Sequence, residues 1–280
     1  MSNPERISIK ELTLEEPEKK RELSFDPEGD LTEEYWRGMI NTFELALQEG
    51  HPLDASSLAA GLKILSPERM DKLDFEDKTK EVMENFLISS RDIEVWDYFI
   101  AQAYALQIVF PGRISGFLLD DITWEGIKGE LEKHRAKDWE VFANHAMAVK
   151  IAFPNKKSEL QLDNTAWEGM KDILQQYRID RDWMSYTIHA VNMRILYPEK
   201  TTELGFDTLP WKEIKDEIKE PLTGSETKDF WRRLCVAFMY LKLLAAEEIK
   251  ITDQGLEVIM QKEKPEFKEE IPPMPQRRSF

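Results

Sequence analysis

A stretch of alanine and aliphatic residues ending in proline occurs four times in this chain. One copy reads Ala146-Met147-Ala148-Val149-Lys150-Ile151-Ala152-Phe153-Pro154, and the others end at Pro67, Pro111 and Pro198. These four prolines are 44, 43 and 44 residues apart. A fixed period of that size marks a repeat protein, in which each unit buries its apolar face only against its neighbours.

Within the period the residues divide into a connector and two helices. Apolar residues stand six and eight places after each proline, and an acid stands nine places after it, as in Leu160, Leu162 and Asp163. The alternation predicts a short extended connector with two side chains tucked inward. The acid suits the N-cap or first turn of a helix. Trp124, Trp167 and Trp211 each follow their proline by thirteen residues, with Lys80 at this place in an earlier copy. Apolar residues at helical spacing follow, such as Met170 and Leu174. This predicts a helix A, ending near Arg91, Arg135 and Arg178, where a cation complements the helix dipole. Asp138-Trp139 and Asp182-Trp183 then open helix B, which runs to the proline that stops it.

The ends depart from the pattern. Residues 1–16 form a charged N-terminal arm, 17–262 the repeat domain, and 263–280 a disordered tail rich in proline and charge. Near the C-terminal end, Ile249–Thr252 resembles a shortened connector, and Leu256–Ile259 a reduced helix A, as expected of a capping copy. The fold expected is all-α: an elongated α-solenoid of about five two-helix repeats with degenerate terminal caps and no sheet. The period is that of HEAT and armadillo arrays, but the signature is not. The chain resembles a group of uncharacterised bacterial proteins whose copies read roughly A-x-K-I-L-F-P-E, L-x-L-D, W-E-x-M-K and D-W. That resemblance spans about residues 17–262 and implies a helical repeat fold with no known activity.

Net charge is −16, which disfavours direct contact with nucleic-acid phosphate or anionic lipid and favours a basic partner. A single cysteine, Cys235, permits no internal disulfide. With no apolar signal segment in the first twenty residues and no run of 18 apolar residues, the expectation is a soluble cytoplasmic protein.

No catalytic, cofactor or metal motif stands out. The eight tryptophans recur with the repeat, which suits core packing better than an exposed aromatic ladder. His145 and His189 share one repeat position. Neighbouring helices lie about 8–10 Å apart, too far for the two to reach one ion with bonds of about 2 Å, and His51 and His134 fall at other positions. Gly38, Gly126 and Gly169 each follow a helix-A tryptophan by two, and a recurrent mid-helix glycine implies a recurrent close approach. Lys63, Lys150, Arg194 and Lys242, with Gln107, form a row just before the proline stop, either a basic stripe for a partner or charges serving helix ends. The end of the tail, with Arg277, Arg278 and Phe280, has the composition of a docking motif. The function expected is a non-enzymatic scaffold holding a protein or peptide on a concave face, with self-association open. The alternatives are an enzyme or small-molecule binder with a pocket between repeats, and an acidic mimic that occupies a basic protein.

Overall fold

The computed structural model describes residues 31–73, 76–116, 119–206, 209–219, 227–252 and 255–260. Five helix pairs follow one another: α1 (Glu33–Glu49) with α2 (Pro52–Leu65), α3 (Glu76–Asp92) with α4 (Trp96–Val109), α5 (Asp121–Arg135) with α6 (Trp139–Ala152), α7 (Asn164–Asp180) with α8 (Trp183–Leu196), and α9 (Trp211–Lys219) with α10 (Lys228–Ala245). The odd-numbered helices are the A helices and the even-numbered ones the B helices. The expected acids start several of them. Asp163 accepts the amide of Ala166 at 2.9 Å, Asp138 those of Glu140 and Val141, and Asp182 that of Ser185. The connectors are short helical turns, not extended chain: Pro67–Met70, Arg113–Gly116, Pro154–Glu159 and Pro198–Leu204. Proline at the first position pre-sets helical φ, so the residue that stops one helix starts the next turn. Leu160, Leu204 and Phe206 still point into the core.

The A helices bury one stripe each, whereas the B helices are buried on most of their surface. Each B helix packs on its own A helix and on the B helices before and after it. The B series does not end at α10. This helix packs against α2 and α1, so the five pairs close into a ring with the B helices inside. The expected elongated array is therefore replaced by a closed one. The seam is specific. The Cys235 thiol lies over α2, 3.8 Å from the Leu58 carbonyl, and a Cβ placed on Gly61 would meet its sulfur at 2.6 Å. Lys242 donates to the Leu65 carbonyl at 3.0 Å. Lys228 pairs with Glu49, and Arg232 lies 3.5 Å from Asp54.

One contact recurs around the ring. The indole that opens a B helix sits on the glycine of the following A helix: Trp96 on Gly126 and Trp139 on Gly169. Trp231 of α10 sits in the same way on Gly38 of α1, where an added Cβ would lie 2.5 Å from the ring. The seam thus repeats the contact seen at two of the four interior joints. A second device clips three of the four connectors, each back onto its own A helix. The base two residues after the proline lies over that helix's tryptophan: Arg69 over Trp36, Lys156 over Trp124 and Lys200 over Trp167, each 4.8–4.9 Å from the ring centroid. All eight tryptophans are buried or half-buried, as core packing requires.

The residues expected to form a reduced helix, Leu256–Ile259, are a strand. Glu248–Thr252 (β1) and Gly255–Ile259 (β2) pair antiparallel, Glu248 opposite Ile259 and Thr252 opposite Gly255. Ile249, Ile251, Leu256 and Val258 recur every second residue, and β-branched side chains at that period favour a strand. The hairpin crosses the ring's proline end, where Gly255 meets the Gln107 carbonyl and Pro111 of the α4 end.

If the seam is a joint like the others, Gly38→Ala should destabilise the whole chain by about 1–3 kcal/mol through overpacking, although alanine is the better helix former. Thermal melts of Gly38→Ala, Trp231→Leu and the double variant should show positive coupling within a single transition. Additive effects, or separate melting of the end repeats, would mean an open array.

Candidate functional site

Three members of the basic row, Lys150, Arg194 and Lys242, are directed at helix ends, the second of the two readings of that row. Each inner helix ends with carbonyls that its own backbone cannot satisfy, and these need donors. Lys150 of α6 donates to the carbonyls of Ile195 (2.7 Å) and Leu196 (3.0 Å) at the end of α8. Arg194 of α8 reaches four carbonyls where α10 gives way to the hairpin: Leu243 (3.2 Å), Leu244 (2.8 Å), Ala246 (2.5 Å) and Glu247 (3.0 Å). Lys242 repeats the reach across the seam. Burial depresses the pKa of Lys150 and Arg194, in keeping with an internal position. Lys63 is different, pairing with Asp71 of the following connector near the surface. Arg277, Arg278 and Phe280 lie outside the described residues. Cys235 is fully buried, and burial pushes its thiol up to about 12, so it remains a packing residue at the seam.

The polar group that does gather was not foreseen. Asp97 stands in the first turn of α4, His134 in the last turn of α5, and His145 in the second turn of α6. Their ligand atoms all lie within 4.8 Å of one another. Asp97 Oδ1 is 3.1 Å from His145 Nε2 and 3.3 Å from His134 Nε2. The two imidazoles are parallel, 3° apart in plane, with centroids at 4.9 Å. Glu130 Oε1 is 2.9 Å from the same His134 nitrogen and also accepts from Lys133. Both histidines are mostly covered, while Asp97 is partly open to water.

The hydrogen-bond pattern fixes the tautomer of His145. Its Nδ1 lies 2.8 Å from the Val141 carbonyl, which can only accept, so Nδ1 carries the hydrogen. Burial lowers its pKa, favouring the neutral ring. The Nε2 lone pair then faces a carboxylate oxygen. Two acceptors at 3.1 Å need a shared proton or a metal cation between them.

The next repeat holds the corresponding trio: Glu140, Tyr177 and His189. There the Tyr177 hydroxyl donates to Glu140, and His189 Nε2 donates to the Met170 carbonyl at 2.9 Å. Gln102 of α4, at the position of His189, likewise donates to the Met83 carbonyl. His145 is the departure, turned from helix A toward Asp97. Spacing within one chain copy could not reveal this, because each member of the trio comes from a different helix and from a different repeat position. The two histidines compared at first, His145 and His189, do not share a site. His134, set aside as out of register, is the one that meets His145.

Depressions on the described surface include the following two. One lies beside α5 and α6, lined by Lys128, Glu132, Arg135 and Gln161, and the other lies on the α1–α10 seam, lined by Arg37, Asn41, Lys228 and Trp231. No described helix is long and apolar enough to cross a membrane. No family model, curated protein or solved structure matches the chain.

The capping role of the basic row separates its members. Arg194→Met should destabilise the protein by roughly 2–4 kcal/mol, because buried carbonyls lose their donors. Lys63→Met should change stability by no more than about 1 kcal/mol, since it removes one exposed ion pair. Denaturant melts of the two variants check the contrast.

Proposed function

We propose that the chain is a non-enzymatic scaffold that holds a protein or peptide partner on the outside of its ring. The inner helices pack on one another, so the concave face of an open array is not there to be used, and binding falls to the outer surface. The observation that carries the proposal is the handover from α3 to α4. Between residues 88 and 98, Ile88, Ile93 and Tyr98 are exposed by 37%, 65% and 47%, and Tyr98 lies against Phe86 with ring centroids at 6.1 Å. Acids surround them: Asp92, Glu94 and Asp97. Exposed apolar side chains close in sequence and interspersed with charge are marks of an interaction surface. With a net charge of −16, the fitting partner is a basic segment carrying apolar anchors.

The test is affinity purification of the full chain from its native cells beside Ile93→Asp/Tyr98→Asp. Both residues are exposed, so the variant should melt close to the parent. Its partner recovery should fall several-fold, and recovery by the parent should decline with added salt. Equal recovery by parent and variant would remove this surface from consideration.

A further inference from the structure

We propose that Asp97, His134 and His145 bind one divalent transition-metal ion of the zinc class, linking three helices of the ring. The inference does not rest on the scaffold proposal, although Asp97 also lies at the edge of that surface.

Three observations support it. The first is geometric. Zinc bonds to histidine nitrogen and carboxylate oxygen of about 2.0–2.2 Å place adjacent tetrahedral ligand atoms roughly 3.3–3.6 Å apart. Asp97 Oδ1 meets the two histidine nitrogens at 3.1 and 3.3 Å, and the longest separation in the trio is within 4.8 Å, so a small turn of one ring completes the set. The second is the proton count. The Val141 carbonyl holds the hydrogen of His145 on Nδ1, leaving Nε2 as a lone pair directed at Asp97. A backbone carbonyl behind a ligating histidine is the arrangement that fixes its tautomer for metal binding. The third is the comparison with the next repeat. Glu140 and Tyr177 meet through a hydroxyl proton, and His189 spends its Nε2 hydrogen on Met170, so no lone pair of that trio is directed at the carboxylate. Replacing tyrosine by His134 and turning His145 away from helix A supplies two imidazoles; His134 Nε2, which here carries the hydrogen shared with Glu130 and Asp97, would bind the ion with that hydrogen moved to Nδ1.

Electrostatics agree. Asp97 and Glu130 bring two negative charges against the one positive charge of Lys133, and the site lies at the C-terminal end of α5, where the helix dipole favours a cation. Two imidazoles and one carboxylate suit zinc and its first-row neighbours better than magnesium or calcium, which prefer oxygen alone. Three protein donors leave the remaining coordination position to solvent, on the side where Asp97 is open.

The test uses the full chain stripped with a chelator. Zinc is titrated calorimetrically, and cobalt is followed by its visible absorption, with magnesium and calcium as hard-cation controls. One zinc per chain should bind, cobalt should give the intense bands of a low-coordinate site, and neither hard cation should compete. The decisive variant is Asp97→Glu/His134→Tyr, which copies the neighbouring trio and so retains a side-chain set that this fold already accommodates. It should bind zinc more weakly by roughly a hundredfold or more, with an unchanged circular dichroism spectrum. His145→Ala should do the same, while Glu140→Gln and His51→Ala should bind like the parent. Failure of the parent to bind zinc, or equal binding by Asp97→Glu/His134→Tyr, would overturn the proposal.

Discussion

An indole pressed onto a glycine is the contact on which the ring depends. Glycine inside a helix is unfavourable by about 1 kcal/mol relative to alanine, so its recurrence needs compensation. The compensation is an approach that a Cβ would forbid: Trp96, Trp139 and Trp231 occupy the space beside Gly126, Gly169 and Gly38. A large aromatic surface leaves water at each joint, and the joint sets how far one repeat turns relative to the last. The rule is not followed at every joint. Val82 stands at the glycine position of α3, and the preceding inner helix begins with Pro52 in place of tryptophan, so indole and glycine are lost together. Because Trp231 meets Gly38 by the same rule, closing the ring needs no new kind of interface. In an open array that tryptophan and the facing stripe of α1 and α2 would both be left in water.

Closure also explains where the charges of the inner helices go. A ring of five helices places five C-termini together at one end, each with carbonyls lacking intrahelical partners. Lys150, Arg194 and Lys242 supply donors to the end of the next helix around the ring, the last across the seam to Leu65. Arginine stands where the demand is greatest. The α10 copy has no proline turn, and its chain must pass from helix into β1, so one guanidinium serves four carbonyls along that bend. A row of cations that looks available in sequence is consumed by the architecture, which leaves the outer helices and the turn ends to meet other molecules.

Local features were legible in the sequence. The proline period, the capping acids Asp120, Asp138, Asp163 and Asp182, and the A and B helices rest on interactions within a few residues, and these leave direct traces. Two local readings failed. The hairpin was missed because the expectation of another repeat copy outweighed the two-residue period of Ile249, Ile251 and Val258. The connectors were read as extended because alternation hid the proline-led turn. Closure was not legible, because α10 and α2 meet across a separation of about 177 residues, and only the Trp–Gly rule, once seen, relates them. The Asp97–His134–His145 trio was hidden for a related reason: its members sit at three unlike repeat positions, and superposing copies of one position never brings them together.

A repeat protein provides its own reference state, and this gives departures from the pattern a meaning they lack elsewhere. At the interior positions of α4 and α8, Gln102 and His189 satisfy a carbonyl of their own helix A, a tie that stabilises the fold and is indifferent to anything outside it. The equivalent residue of α6 forgoes that tie. Its ring is held by Val141 one turn back, facing Asp97 on one repeat and stacked on His134 of another element. Forgoing a buried hydrogen bond that both neighbouring repeats keep is unfavourable unless something replaces it. Packing alone does not, since a leucine fills the same position in α2. A proton shared between His145 and Asp97 would serve the lone pair and the carboxylate, whereas a metal ion serves these and the second imidazole at once.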